Sequence, residues 1–309
     1  MSGRLGPMSI GVWFGIWLGV LSCACYTAAA VAQRRLALAV PEPLTAGRSL
    51  AALARRPLWW GAAVLNAGRA VLQVGALAFA PLTAVQPLGV LVLVFGLPWS
   101  ARLSGRRVTA REWRGALLTV LALGVLLTVA VTGGGGRPMD AGTGALVVGG
   151  TAALLGALAW TAGRVSSPVW RSHLLAAAAG TAFGVASATA KTVIAVAADG
   201  GAAVGLAHPA AGGTALVAIA GLLLAQAAYQ GAELGAPLGV TTVANPVAAS
   251  VVGVAFMGET YSGGWPGTGV AVLCALLAGY GITLLADPFR TGRTRSSAPS
   301  PELIGPRCR

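Results

Sequence analysis

The chain has 309 residues, of which 56% are hydrophobic and only 9% charged, and it carries a formal net charge of +13. Its mean hydropathy is +0.78. A soluble domain needs about 25% charged residues to cover its surface, so an ordinary globular protein is excluded, and the apolar surface must face lipid.

A membrane-crossing helix needs about 20 mostly apolar residues. Nine segments qualify: 8–32, 57–80, 82–101, 115–131, 142–162, 174–198, 214–234, 238–257 and 265–286. Unpaired backbone is too costly in hydrocarbon, so these spans are expected to be helices. They are too long, and too uniformly apolar, for the strands of a membrane barrel. The expected fold class is an all-α integral membrane protein.

The basic residues fix an expected orientation. Seventeen of the 21 Lys and Arg residues fall in four places: 33–57, 102–114, 163–173 and the tail beyond 288. With nine spans, all four places lie on one side. Only Arg4 and Arg137 lie on the other, while Arg69 and Lys191 fall inside spans. The positive-inside rule then predicts an outer N-terminus and a cytoplasmic C-terminus in a multi-pass cell-membrane protein. The same placement argues against a nucleic-acid partner. The arginines read as cytoplasmic loops and not as a phosphate-binding face.

Along the first span, Arg4, the apolar run and the small residues at 28–30 imitate a secretory signal peptide. The arginines that follow favour an uncleaved first span. Gly11, Gly15 and Gly19 form a ridge along which helices approach closely, either within the chain or in a homodimer. Trp59, Trp60, Trp99, Trp113, Trp160 and Trp170 lie near the expected cytoplasmic ends of spans, as an aromatic belt. Residues 288–309 are rich in Ser, Pro and Arg and read as a disordered basic cytoplasmic tail.

A repeated phrase divides the chain. Thr83-Ala84-Val85-Gln86-Pro87 opens the third span and Thr242-Val243-Ala244-Asn245-Pro246 opens the eighth. Each runs Thr, two small apolar residues, a side-chain amide, then Pro. The preceding spans also correspond. Asn66, Arg69 and Gln73 share one helical face of the second, and Gln226, Gln230 and Glu233 share one face of the seventh. Polar faces in a bilayer point into the bundle or a wet cavity. One repeat thus covers 8–131 and the other 174–286, joined by a linking helix at 142–162, within one transmembrane domain at 1–287. A single linking helix inverts the second repeat. Inverted repeats are the plan of many secondary transporters, with the substrate site at the repeat interface near the midplane. Each phrase proline removes a donor to the carbonyl four residues earlier, on Thr83 and Thr242, leaving it for a solute, an ion or a neighbour. A proline in the first turns of a helix would cost little, which is the structural alternative.

These features resemble the drug/metabolite transporter superfamily, and within it the magnesium transporters of the NIPA type. The stretches that carry the likeness are Arg55-Arg56-Pro57-Leu58-Trp59-Trp60-Gly61, then Ala76-Leu77-Ala78-Phe79-Ala80-Pro81 with Val85-Gln86-Pro87-Leu88-Gly89. Ser187-Ala188-Thr189-Ala190-Lys191 and Pro246 followed by Gly258-Glu259 complete it. The likeness covers roughly residues 10–287. It implies transport of a small solute, with Mg²⁺ or another divalent cation as the alternative cargo. After the third span the family places an acidic residue, whereas this chain reads Gly105-Arg106-Arg107-Val108-Thr109. Mg²⁺ favours carboxylates, and Glu233 is the carboxylate placed to serve it, with Glu259 a more distant candidate.

The candidate substrate-binding residues are therefore Asn66, Arg69, Gln73, Thr83, Gln86, Pro87, Lys191, Gln226, Gln230, Glu233, Thr242, Asn245 and Pro246. Arg69 at mid-span fits an anionic or zwitterionic solute, or else an ion pair with Glu233. Lys191 is nearer the outer end of its span and could snorkel to the surface. Glu233 could carry a coupling proton or be a loop carboxylate. No nucleophile–base pair, nucleotide fingerprint or metal-ligand spacing is present, so no enzyme and no cofactor are expected. A transport-inactive membrane scaffold is the alternative of another class.

Overall fold

The structure is a computed structural model that describes residues 10–39, 47–79, 91–103, 105, 107–131, 137–230, 235–259, 261 and 264–285. Every regular element among them is a helix. In chain order these are α1 (Ile10–Ala39), α2 (Gly47–Ala54), α3 (Pro57–Phe79), α4 (Leu91–Leu103), α5 (Ala110–Val131) and α6 (Ala141–Arg164). They continue with α7 (Pro168–Gly200), α8 (Ala202–Ala207), α9 (Pro209–Ala228), α10 (Gly235–Phe256) and α11 (Trp265–Leu285). Six of them, α1 from Trp13, α6, α7, α9, α10 and α11, are long and apolar enough to cross a membrane.

The distribution of side chains is the reverse of a soluble protein's. Large apolar groups such as Trp17, Val64, Val71, Leu146, Ile194 and Leu276 are exposed, while the fully buried positions include Ala29, Ala30, Ala62, Ala176, Ala178, Ala182 and Ala278. Lipid tails are as apolar as Leu, so burying Leu gains little in a bilayer. Close backbone approach between small residues gains more, through dispersion. The multi-pass membrane assignment rests on this pattern together with the six apolar helices.

The helices pack in pairs. α1 lies along α3, α7 lies along both α9 and α10, and α5 lies along α11. Glycines set the closest approaches. A Cβ on Gly115 of α5 would lie 2.6 Å from the Gly281 carbonyl oxygen of α11, and one on Gly281 would collide with the Thr119 hydroxyl. Gly15 and Gly19 of α1 are buried, so that part of the ridge is used within the chain.

Several boundaries differ from the sequence expectations. α1 runs seven residues past 32 and takes Gln33, Arg34 and Arg35 out of the loop. α7 and α9 begin at Pro168 and Pro209, earlier than 174 and 214, because proline at the first helical position loses no hydrogen bond. α10 begins at Gly235, so Pro246 stands in the helix interior and not in its first turns. α9 ends at Ala228, so Gln230 lies in a turn and the helical face expected for Gln226, Gln230 and Glu233 does not continue to it. Thr83, Gln86, Pro87, Glu233 and the tail at 288–309 lie outside the described residues.

Two caps fix the starts of α5 and α6. The Glu112 carboxylate accepts from the Thr109 amide at 2.7 Å and its hydroxyl at 2.9 Å, and the Glu112 amide donates to the Thr109 hydroxyl oxygen at 3.3 Å. This capping box starts α5 five residues before 115. Thr109→Ala is expected to lower stability by about 1 kcal/mol, read as a lower thermal midpoint in detergent. Asp140 caps α6 and accepts from the Gly142 and Thr143 amides at 2.9 and 3.0 Å. The Thr143 hydroxyl, then the amides, hold its carboxyl below the usual value. The contribution of this cap is present above the ordinary carboxylate pKa and is lost as pH falls through the depressed one.

Candidate functional site

The polar centre of the bundle is organised by α1. Ser22, Tyr26 and Gln33 follow one another on one helical face and are all buried. Against this face α3 delivers Arg69, near the midpoint of a 23-residue helix. The Ser22 hydroxyl donates to the Arg69 carbonyl at 3.0 Å, which ties the two backbones together at this level. The Arg69 guanidinium carbon stands 4.5 Å from the centre of the Tyr26 ring. Its Nε is enclosed and has no hydrogen-bond partner. A desolvated cation–π contact of this kind is worth about 2 kcal/mol. Asn66 and Gln73 flank Arg69 and are half-buried, and the Asn66 amide donates to the Ala62 carbonyl of its own helix at 3.0 Å.

A second polar station lies two turns further along α1, about 10 Å at 1.5 Å per residue. Here Gln226 of α9 donates to the Gln33 carbonyl at 2.9 Å. Gln33 is 2% exposed and Gln226 1%. Gln33 Nε2 and Gln226 Oε1 are both without partners. Each such group costs about 1–3 kcal/mol to bury. Arg34 donates to the Tyr229 carbonyl at 2.9 Å, placing a cation on the carbonyl end of α9, where the helix dipole favours it. Between the stations, Tyr26 and Tyr229 join Cys23, Leu93 and Leu238 in one apolar cluster. Gln230 is half-buried just beyond Tyr229.

The α10 residues belong to a different contact. Pro246 leaves the Thr242 carbonyl without its usual helical donor. The Thr242 hydroxyl turns back to the Leu238 carbonyl at 2.7 Å. Asn245 is half-buried, and its own carbonyl faces Gly184 of α7. Thr241 binds the two helices, donating to Ala176 of α7 at 3.2 Å. Lys191 sits in a fourth place. It pairs with Glu259, just past the end of α10, in a partly exposed bridge. Gly253 leaves room for that carboxylate, and its carbonyl accepts from the Glu259 amide at 2.9 Å.

The predicted residues therefore separate into four groups. Arg69 meets Ser22 and Tyr26, Gln226 meets Gln33, Thr242, Asn245 and Pro246 lie on α10, which packs against α7, and Lys191 meets Glu259. Ser22, Tyr26, Gln33 and Arg34 were missed as site residues. The shared helical face of Ser22, Tyr26 and Gln33 was a usable signal, and its Gln33 end was hidden because the expected span stops at 32.

No protein-family model matches the chain, and no solved structure matches it. Among curated proteins it is similar to an uncharacterised protein of Corynebacterium glutamicum, 28% identical over 255 residues, which span 80% of this chain and 87% of that one.

Proposed function

We propose that the chain is a secondary transporter of the drug/metabolite type, carrying a small anionic or zwitterionic solute across the cell membrane by alternating access. The observation that carries this is Arg69: a half-buried cation at mid-helix, its guanidinium stacked on Tyr26 and its enclosed Nε without a hydrogen-bond partner. Intramembrane cations with unmet donors mark solute paths more often than packing. The orphaned amide atoms of Gln33 on α1 and Gln226 on α9 add a donor and an acceptor two turns further along α1.

The nine-span plan adds α3, α4 and α5 to the six long apolar helices. Helix pairing supports two repeats around α6. α1 packs on α3 and α4 as α7 packs on α9 and α10, and the fourth members α5 and α11 pack on each other. The repeats also meet where Gln33 and Arg34 of α1 reach Gln226 and Tyr229 of α9. Three acidic side chains are already committed, Glu112 and Asp140 to caps and Glu259 to Lys191. That favours an anionic cargo over a divalent cation.

Flux in proteoliposomes tests the proposal, using carboxylates, amino acids and Mg²⁺ as cargo. The expected result is movement of a carboxylate-bearing solute. No flux of any of these, in either direction, would point to a scaffold. Mg²⁺ flux abolished by Glu233→Gln would point to a cation carrier. For the orientation, a cysteine placed by Arg107→Cys in a cysteine-free background should resist membrane-impermeant thiol reagents added outside intact cells. Ready labelling there would reverse the proposed topology.

A further inference from the structure

α1 and α4 are in contact but do not close completely. Between them lies a cleft of about 510 Å³, lined by Ala24 and Thr27 of α1 and by Phe95, Pro98, Trp99 and Arg102 of α4. That volume falls in the range of small-molecule sites, roughly 300–1,000 Å³. Its floor is buried Thr27, whose hydroxyl is turned to the Cys23 carbonyl at 2.9 Å and is not available to a ligand. Its rim is open to the lipid-facing side. Phe95 is 41% exposed and Trp99 44%.

The polarity of the cleft is ordered along α4. Phe95 is apolar, Trp99 comes one turn later and Arg102 closes the last turn, a distance of about 10 Å at 1.5 Å per residue. Tryptophan at that position matches the headgroup level of a bilayer, and a terminal arginine matches an anionic headgroup. A water-soluble anion would meet Arg102 but not the apolar walls, which face hydrocarbon.

We propose that this cleft holds one anionic phospholipid, with an acyl chain along Phe95, Pro98 and Ala24 and its phosphate at Arg102. The site is separate from Arg69 and from the Gln33–Gln226 pair, and it does not depend on the transporter proposal. A lipid wedged here would set the spacing of α1 and α4, and with it the packing of Tyr26 against Leu93.

The test uses the full chain, purified and stripped of lipid in detergent. It is titrated with phosphatidylglycerol, phosphatidylcholine or soluble glycerol phosphate, and bound lipid is counted by native mass spectrometry. The expected result is one phosphatidylglycerol retained per chain, with phosphatidylcholine and glycerol phosphate not retained. Arg102→Gln should weaken retention about fivefold, the worth of one arginine near an anionic surface. Ala24→Trp should abolish retention by filling the cleft from an exposed position. Arg111→Gln, on the exposed first turn of α5, should change nothing. Equal retention of the two phospholipids, full retention by Arg102→Gln, or binding of glycerol phosphate equal to that of the lipid would each overturn the proposal.

Discussion

Arg69→Met is expected to lower solute flux at least about tenfold while leaving the folded bundle as stable as the parent. Two opposing terms make the stability change small. With α3 crossing the membrane as proposed, removing the guanidinium relieves an insertion cost of about 3 kcal/mol. It also forfeits the stacking on Tyr26, worth about 2 kcal/mol when desolvated. Met fills the stem volume with flexible apolar atoms. Transport has no such compensation if Arg69 Nε is the donor that meets the solute, because an apolar side chain leaves the arriving carboxylate unpaired in a low-dielectric interior. Arg69→Lys should fail to restore flux, since an ammonium lacks the planar fork that binds a carboxylate through two donors. Tyr26→Phe keeps the ring face and should keep most of the flux. The two readouts are the thermal midpoint in detergent and solute counterflow in vesicles. A structural Arg69 would show the opposite pattern, a large fall in midpoint in every variant. Unchanged flux in Arg69→Met would remove Arg69 from the solute path.

The contrast between α1 and α10 shows what could be read from the chain and why the rest could not. Apolar length is the signal from which the six helices long and apolar enough to cross a membrane follow. Helix ends follow from local chemistry that length does not register. Pro57, Pro168 and Pro209 each open a helix, and Pro237 stands in the first turn of α10. There the missing N–H has no helical partner to lose. The expected span at 238–257 leaves Pro237 outside the helix and so puts Pro246 near its start. At the other end of a span, Gln33 and Arg34 look like loop residues because they are polar and precede further arginines. Their place in the bundle depends on Gln226 and Tyr229, nearly 200 positions away. A single helical period cannot reveal such a partner. Arg69 was legible for the opposite reason, since a lone cation in an apolar run stands out without any tertiary knowledge. Its neighbour Tyr26 did not stand out, because a tyrosine in a membrane helix is ordinary until a cation is found over its ring.

Gly184→Ala is expected to destabilise the protein more than any other alanine substitution on the α7–α10 face. A Cβ at Gly184 would collide with the Asn245 carbonyl oxygen and lie 2.9 Å from both the Ala248 Cβ and the Ala249 nitrogen. One turn earlier, a Cβ at Gly180 would lie 2.6 Å from the Ala244 Cβ and 2.7 Å from the Thr241 carbonyl oxygen. Most of these obstacles are backbone atoms, which cannot rotate aside as a long side chain can. The helices must separate, and the Thr241–Ala176 hydrogen bond across them stretches. Overpacking of this kind costs about 1–3 kcal/mol per site. Two such sites on one interface couple and need not add. The control is Gly150 on α6, where nothing lies within 4 Å of a new Cβ. Alanine there should be neutral or stabilising by up to about 1 kcal/mol, because it is the better helix former. The same chemical change is thus expected to have opposite signs on two helices. Measured thermal midpoints should fall for Gly184→Ala and hold or rise for Gly150→Ala. Equal midpoints for the two would mean that α7 and α10 do not approach at Gly184. The segment containing Thr242 and Pro246 would then be free of α7, and its unpaired Thr242 carbonyl would have to be sought in another helix contact.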